Sequence, residues 1–190
     1  MHDNAQISNL KKIGSAIAFY GYNHFFSHFP SYFIRKAYLQ NILRIKIGIG
    51  TAIHMGCFIT GNKIIIGERT VINRKVFLDG RFGLDIGSDV SISPNCCLLS
   101  LGHDPNSETF ESLPGKIQLG SRCWLGFGAM ILPGITLGEG CVVGAGSIVT
   151  KSFTSFQIIA GNPAKLIGNR NSNLIYELNY FPWFDTDVLP

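Results

Sequence analysis

The sequence predicts a mainly β chain wound as a parallel β-helix, set between a short helical N-terminal segment and a C-terminal tail. Three observations carry this. From residue 47 onward an aliphatic residue recurs every six positions, glycine often follows it, and a small or β-branched residue usually stands four positions after it. The cleanest series is Leu119, Leu125, Ile131, Leu137, Val143 and Val149. Earlier triplets are Ile47, Ile53, Ile59, then Ile66, Ile72, Leu78, then Ile86, Ile92, Leu98, with one or two extra residues between triplets. A period of six matches neither a helix nor a simple strand. It matches a β-helix in which each hexapeptide is one short strand plus a turn. Three hexapeptides then close a triangular coil of about eighteen residues, and residues 47–154 hold roughly five coils.

Each element follows from its composition. Residues 1–46 are rich in aromatics, among them Phe19, Tyr20, Tyr22, Phe25, Phe26, Phe29, Tyr32 and Phe33. Pro30 breaks the segment, and Ser31 is placed to cap a helix running to about Leu43. This segment is expected to cover the open end of the β-helix, which would otherwise be a sticky edge. Weak interfacial contact with a membrane is the functional alternative, although Asn23, His24 and His28 dilute the apolar face. Residues 47–168 form the β-helix domain. Its rhythm fails once on a large scale, between Leu98 and Ile117, where a polar loop (100–116) with His103 at its root leaves a corner. Long loops on a rigid scaffold usually carry function. The tail, 169–190, holds Tyr176, Tyr180, Phe181, Trp183 and Phe184, and is expected to pack on the prism or on a neighbouring subunit.

Composition bounds the function. A 46% apolar fraction over 190 residues supports a packed core. A net charge of +4 suits an anionic cofactor but is too weak to argue for nucleic acid. Five cysteines cannot all pair internally, and no C-x-x-C pair supports a zinc site. Cys57, Cys96, Cys123 and Cys141 fall on the small inward position and read as core filler; Cys97 has no assigned role. Reduced thiols, no membrane-spanning run and no signal-peptide pattern predict a cytoplasmic chain, with peripheral contact at the inner face of the membrane as the open variant.

The hexapeptide pattern resembles the left-handed β-helix acyltransferases. Residues 123–140 (CWLGFGAMILPGITLGEG), 142–151 (VVGAGSIVTK) and 160–165 (AGNPAK) carry the resemblance, which covers about 45–168. Within that superfamily the chain is most similar to the sugar O-acetyltransferases. Residues 92–95 (ISPN), 102–106 (GHDPN) and 180–187 (YFPWFDTD) look like the branch that modifies capsules and lipopolysaccharides. The resemblance implies a homotrimer with each active site between two prisms, acetyl-CoA in the groove, no metal, and a sugar hydroxyl as acceptor. It makes His103 the general base. A neutral imidazole suits that task near pH 7, and such a base is worth about 10²–10⁴-fold. The alternative for His103 is a plain surface histidine.

On the acceptor side, Asn73 matches an asparagine bordering the sugar site, although asparagine also suits left-handed corners. Asp79 sits where relatives place polar acceptor contacts, but a second polar residue of that pattern is replaced by Gly80. Asp104 and Glu108 are placed to orient His103 or to bind sugar; spacing leaves both open. On the donor side, backbone groups at Phe127 and Ala145 match the pantetheine contacts. Phe127 stands where many relatives have glycine, so its ring must point outward or reshape the groove. Trp124 would wall the groove or lie in a trimer contact. Thr150, Lys151 and Lys165 match the nucleotide end, where lysine serves as a phosphate point charge.

Other readings use the same fold. An N-acyltransferase of a nucleotide-linked amino sugar would be expected to carry a nucleotide-binding domain ahead of the prism, and residues 1–46 are too short for one. Antibiotic acetylation stays open. A γ-type carbonic anhydrase needs three histidines on zinc, and the prism region offers His54 and His103. A non-catalytic scaffold would need neither His103 nor the lysines.

Overall fold

A computed structural model describes residues 2–186. The chain runs from helix α1 (His2–His24) through a 3₁₀ turn (Phe26–His28) and helix α2 (Tyr32–Asn41) into a three-faced parallel β-solenoid. The first face stacks Lys46–Ile47, Ile64–Ile66, Leu84–Ile86, Ile117–Leu119 and Thr136–Leu137. The second stacks Ala52–Ile53, Val71–Ile72, Ser91–Ile92, Trp124–Leu125, Val142–Val143 and Gln157–Gly161, closed by the antiparallel Ala164–Asn169. The third stacks Phe58–Thr60, Phe77–Asp79, Cys97–Leu98, Met130–Ile131 and Ile148–Val149.

The period-six residues do what their spacing demands. Ile53, Ile72, Ile92, Leu125 and Val143 lie one above another in parallel register, and all are buried. Removing each such side chain from water contributes about 1.5–3 kcal/mol. The small positions, from Thr51 and Cys57 to Cys141 and Ser147, are buried as well. Burial pushes the Cys57 and Cys123 thiols up to about 12, so they stay protonated and inert at neutral pH. The glycine after the aliphatic residue serves close approach. A Cβ on Gly87 would lie 2.6 Å from the Ser121 nitrogen of the next coil. Left-handed dihedrals fall elsewhere in the corners, at Gly56 (φ 73°) or Asn95 (φ 61°).

The N-terminal segment closes the open end of the prism. Ser31 caps α2 by accepting the Ile34 N–H, and Tyr22, Leu39, Leu43 and Ile45 join the core. Side chains from the cap then satisfy the first coil's edge. Asn23 pairs with both the N–H and the C=O of Ile59, each at 2.9 Å. Lys36 donates to the Gly48 carbonyl, Gln40 to Ile47 and Arg35 to Ile53. The edge is thereby covered rather than left as a template for pairing. Most of α1 extends past the prism: residues 9–17 are exposed, and Tyr22 and Asn23 make its buried contact. No helix among the described residues is long and apolar enough to cross a membrane.

The tail packs back along the prism. Tyr176 donates to the Arg122 carbonyl, the Leu178 N–H donates to Asp89, and the chain then reaches the cap at the opposite end. There Asp185 is buried among Arg35, His54, Arg74 and Tyr32.

Candidate functional site

His103 stands on a small arm rather than an irregular loop. Leu101–His103 pairs antiparallel with Ser112–Pro114, and Asp104 to Glu111 form the tip. The arm leaves the corner between the third and first faces. Its imidazole is exposed and stacks on the Phe110 ring, with centroids 3.8 Å apart and planes 14° apart. The His103 Nδ1 lies 3.1 Å from the Phe110 carbonyl. A carbonyl can only accept, so Nδ1 carries a proton, and in a neutral ring Nε2 is the nitrogen left to accept. Phe110 holds a left-handed backbone (φ 55°), a costly conformation for a bulky residue and one that delivers both its carbonyl and its ring to the same imidazole.

Asp79 anchors the root of the arm. Arg81 grips its carboxylate bidentately at 2.9 and 3.0 Å, Thr60 and the Arg81 N–H add bonds at 3.1 Å, and the Ser100 N–H donates at 3.0 Å. Burial pushes its pKa up, but these bonds outweigh it and hold the carboxyl below the ordinary range. Both oxygens are therefore engaged inside the chain. Gly80 beside it admits no side chain, since a Cβ would meet Ile64 Cγ1 at 2.4 Å. Asp104 accepts the Asn106 N–H at 2.9 Å and so shapes the tip of the arm.

The other expected residues divide between two edges of the prism. Thr150 and Lys151 share the corner of the His103 arm, and both are exposed; the Lys151 ammonium lies 5.6 Å from the Phe153 ring. Asn73, Phe127 and Ala145 lie on the corner between the second and third faces, with Trp124 on the adjoining strand. Asn73 donates its side-chain amide to the Ile92 carbonyl at 3.1 Å and lines a groove with Val71, Ser91 and tail residues Glu177 to Tyr180. Phe127 is 55% exposed, so its ring points outward and leaves its backbone in the corner, where its carbonyl accepts the Gly146 N–H. Trp124 is half exposed and donates its indole N–H to Ser93 at 3.3 Å. Lys165 is exposed on the closing strand, opposite Ala160. A single protomer therefore does not bring Asn73, Trp124, Phe127, Ala145 or Lys165 to the edge that carries His103.

Sequence reasoning missed the cluster around Asp185. His54, the prism's second histidine, is fully buried, bonded to Asp185 through Nδ1 and stacked on Tyr180. It lies away from the His103 arm and shares no ligand geometry with it. Among the described residues no three His, Cys, Asp or Glu side chains converge as a metal site.

Comparison with known proteins shows what the whole chain is similar to. Residues 116–151 match the family model described as the hexapeptide repeat of succinyl-transferase. WcaF of Escherichia coli (strain K12), named as a colanic acid biosynthesis acetyltransferase, is 33% identical over 136 residues, covering 71% of this chain and 75% of its own. The galactoside O-acetyltransferase of the same organism is 30% identical over 165 residues, covering 85% and 80%. Among solved structures, the hexapeptide-repeat acetyltransferase VCA0836 of Vibrio cholerae overlaps 88% of this chain and 94% of its own, with a TM-score of 0.75 at 20% identity. That overlap is with a left-handed parallel β-helix, which is the fold of this chain.

Proposed function

We propose that this chain, which belongs to the hexapeptide-repeat acetyltransferases, is an acetyl-CoA-dependent O-acetyltransferase that modifies a sugar hydroxyl of a surface polysaccharide or lipopolysaccharide. The observation that carries the reading is His103, with its proton fixed on Nδ1 by the Phe110 carbonyl and its Nε2 free to accept. The acceptor hydroxyl gives its proton to Nε2 as its oxygen attacks the thioester carbonyl. Collapse of the tetrahedral intermediate breaks the C–S bond, and the imidazolium returns the proton to the departing thiolate. No acyl-enzyme is required, in keeping with cysteines whose thiols burial holds protonated.

The division of residues between two edges supports a homotrimer. A threefold ring that sets one copy's His103 edge against its neighbour's Asn73 edge gathers both groups into one groove. In that groove Asn73 and Asp104 meet the acceptor, while Trp124 and the backbone at Phe127 and Ala145 hold the pantetheine arm. Thr150, Lys151 and Lys165 take the nucleotide end. Asp79 acts through Arg81 and the arm's root, because its own oxygens are engaged. The chain acts in the cytoplasm in this reading, and the exposed stripe Leu10, Ile13, Ile17 and Tyr20 on α1 is the surface that would touch a membrane. The test is thiol release from acetyl-CoA across free, nucleotide-linked and lipid-linked sugars. Acceptor-dependent release supports the assignment. Silence across the panel with no CoA binding by calorimetry refutes it.

A further inference from the structure

The strongest unassigned feature is a basic cavity beside the root of the His103 arm. It measures about 370 Å³, within the range of small-molecule sites. Arg44, Lys46, Lys63 and Lys116 line it, with the Phe82 ring as one wall. Its single acid, Asp85, pairs with Lys116 at 2.5 Å. Arg44, Lys46 and Lys63 meet no carboxylate within ion-pair distance among the described residues. Lys63 instead sits 6.0 Å from the Phe82 ring. Of the six cations in residues 1–46, Arg44 and Lys46 reach this cavity. Three unneutralised cations in one concavity focus a field that suits a polyanion.

Position says which polyanion. Lys63, Gly83 and Lys116 stack in successive coils at the start of the first face, joined by Leu84 N–H to Lys63 and Ile117 N–H to Gly83. Phe82 donates its N–H to Ser100 Oγ, and Gly115 donates to the Ser100 carbonyl, so the cavity abuts both strands at the base of the arm. Along this corner the order of coils is cavity, arm, then Thr150 and Lys151. With coils about 4.8 Å apart, the cavity runs from Lys116 at the arm's root back over three coils to Lys46, and Thr150 lies two coils on the other side. The donor's expected nucleotide end and this cavity thus flank His103 from opposite sides.

We propose that the cavity binds the diphosphate of an activated acceptor, so that the sugar presented to His103 is carried on a diphosphate rather than free. This rests on the acetyltransferase reading and specifies its substrate class. Two carriers share that chemistry, a nucleotide diphosphate and a polyprenyl diphosphate.

The test uses the full chain with saturating CoA, so that the donor groove is filled, and titrates inorganic pyrophosphate by calorimetry. Wild type is expected to bind it. The Lys46→Ala/Lys63→Ala variant, altered at two exposed side chains and checked for an unchanged melting temperature, is expected to bind about tenfold more weakly. Raising the salt is expected to weaken wild-type binding. One sugar is then offered free, nucleotide-linked and polyprenyl-linked. A lower KM for one diphosphate form, with the preference collapsing in the variant, supports the proposal and names the carrier. Pyrophosphate binding that is absent or indifferent to the substitutions overturns it, as does a free sugar used as well as both linked forms. The titration needs no turnover, so loss of this site is distinguishable from failure of the acetyltransferase reading, which shows as no thiol release with any acceptor.

Discussion

Replacing Asp185 with asparagine tests how the tail is held. In the native chain this carboxylate is 4% exposed and faces Arg35, which is fully buried, together with His54 and Arg74. It also accepts from the Met55 N–H and the Tyr32 hydroxyl. Asparagine keeps the shape but removes the charge, leaving a buried guanidinium without its counter-ion. Breaking a buried pair from one side costs about 3–5 kcal/mol. For a chain of this size each kcal/mol moves the melting temperature by about 2–4 °C, so a fall of roughly 6–20 °C is expected at pH 7. The pH dependence has a definite sign. Burial pushes the Asp185 carboxyl up, but hydrogen bonding and attraction from His54, the Met55 N–H and Arg35 together hold it below its ordinary value. Its stabilisation is therefore full above the ordinary carboxylate range and is lost as pH falls through the lowered value. Scanning calorimetry of wild type and Asp185→Asn should show a gap at pH 7 that narrows as pH falls below the ordinary carboxylate range. A melting temperature within about 2 °C of wild type at pH 7, or a gap that widens in acid, would refute the buried-anchor reasoning.

Three further outcomes are expected. Asp79→Ala frees the Ser100 N–H and Arg81 at the root of the arm, so kcat should fall several-fold while the KM for acetyl-CoA moves little; equal loss in both would place Asp79 in donor binding instead. Lys151→Ala and Lys165→Ala should each raise the KM for acetyl-CoA, and more so at low salt; no change in either would move the nucleotide end elsewhere. Leu98→Ala, at a fully buried position in the middle of the third face, should cost about 2–5 kcal/mol in denaturant unfolding; a loss under about 1 kcal/mol would contradict the packed interior.

The coils were legible because every aliphatic residue in the series answers to the same interior, so each six-residue step repeats one physical demand. Leu119 through Val149 show it without interruption, and the place where it fails, after Leu98, is where the arm with His103 departs. Ser31 was readable as a cap because capping is a local bond. The Asp185 anchor was not readable: His54 lies 131 residues away, and nothing near either residue records a contact made across the whole prism. The same holds for the cap side chains that finish the first coil, where Asn23 reads locally as a polar interruption yet supplies both bonds to Ile59. Asp79 reads in the sequence as an acceptor contact beside Gly80, and nothing there records that Arg81 folds back onto both of its oxygens. The basic cavity escaped for a related reason. Arg44, Lys46, Lys63 and Lys116 are scattered along the chain as ordinary surface charges, and only the coil stacking brings them to one concavity.

The central claim is that His103 takes the acceptor's proton. The direct measurement is kcat/KM for acetyl transfer by wild type and His103→Ala on whichever acceptor supports turnover, with CoA affinity measured alongside by calorimetry. A loss of about 10²–10⁴-fold in kcat/KM with CoA affinity retained is the expected result. A variant that keeps most of its rate would remove His103 from the chemistry.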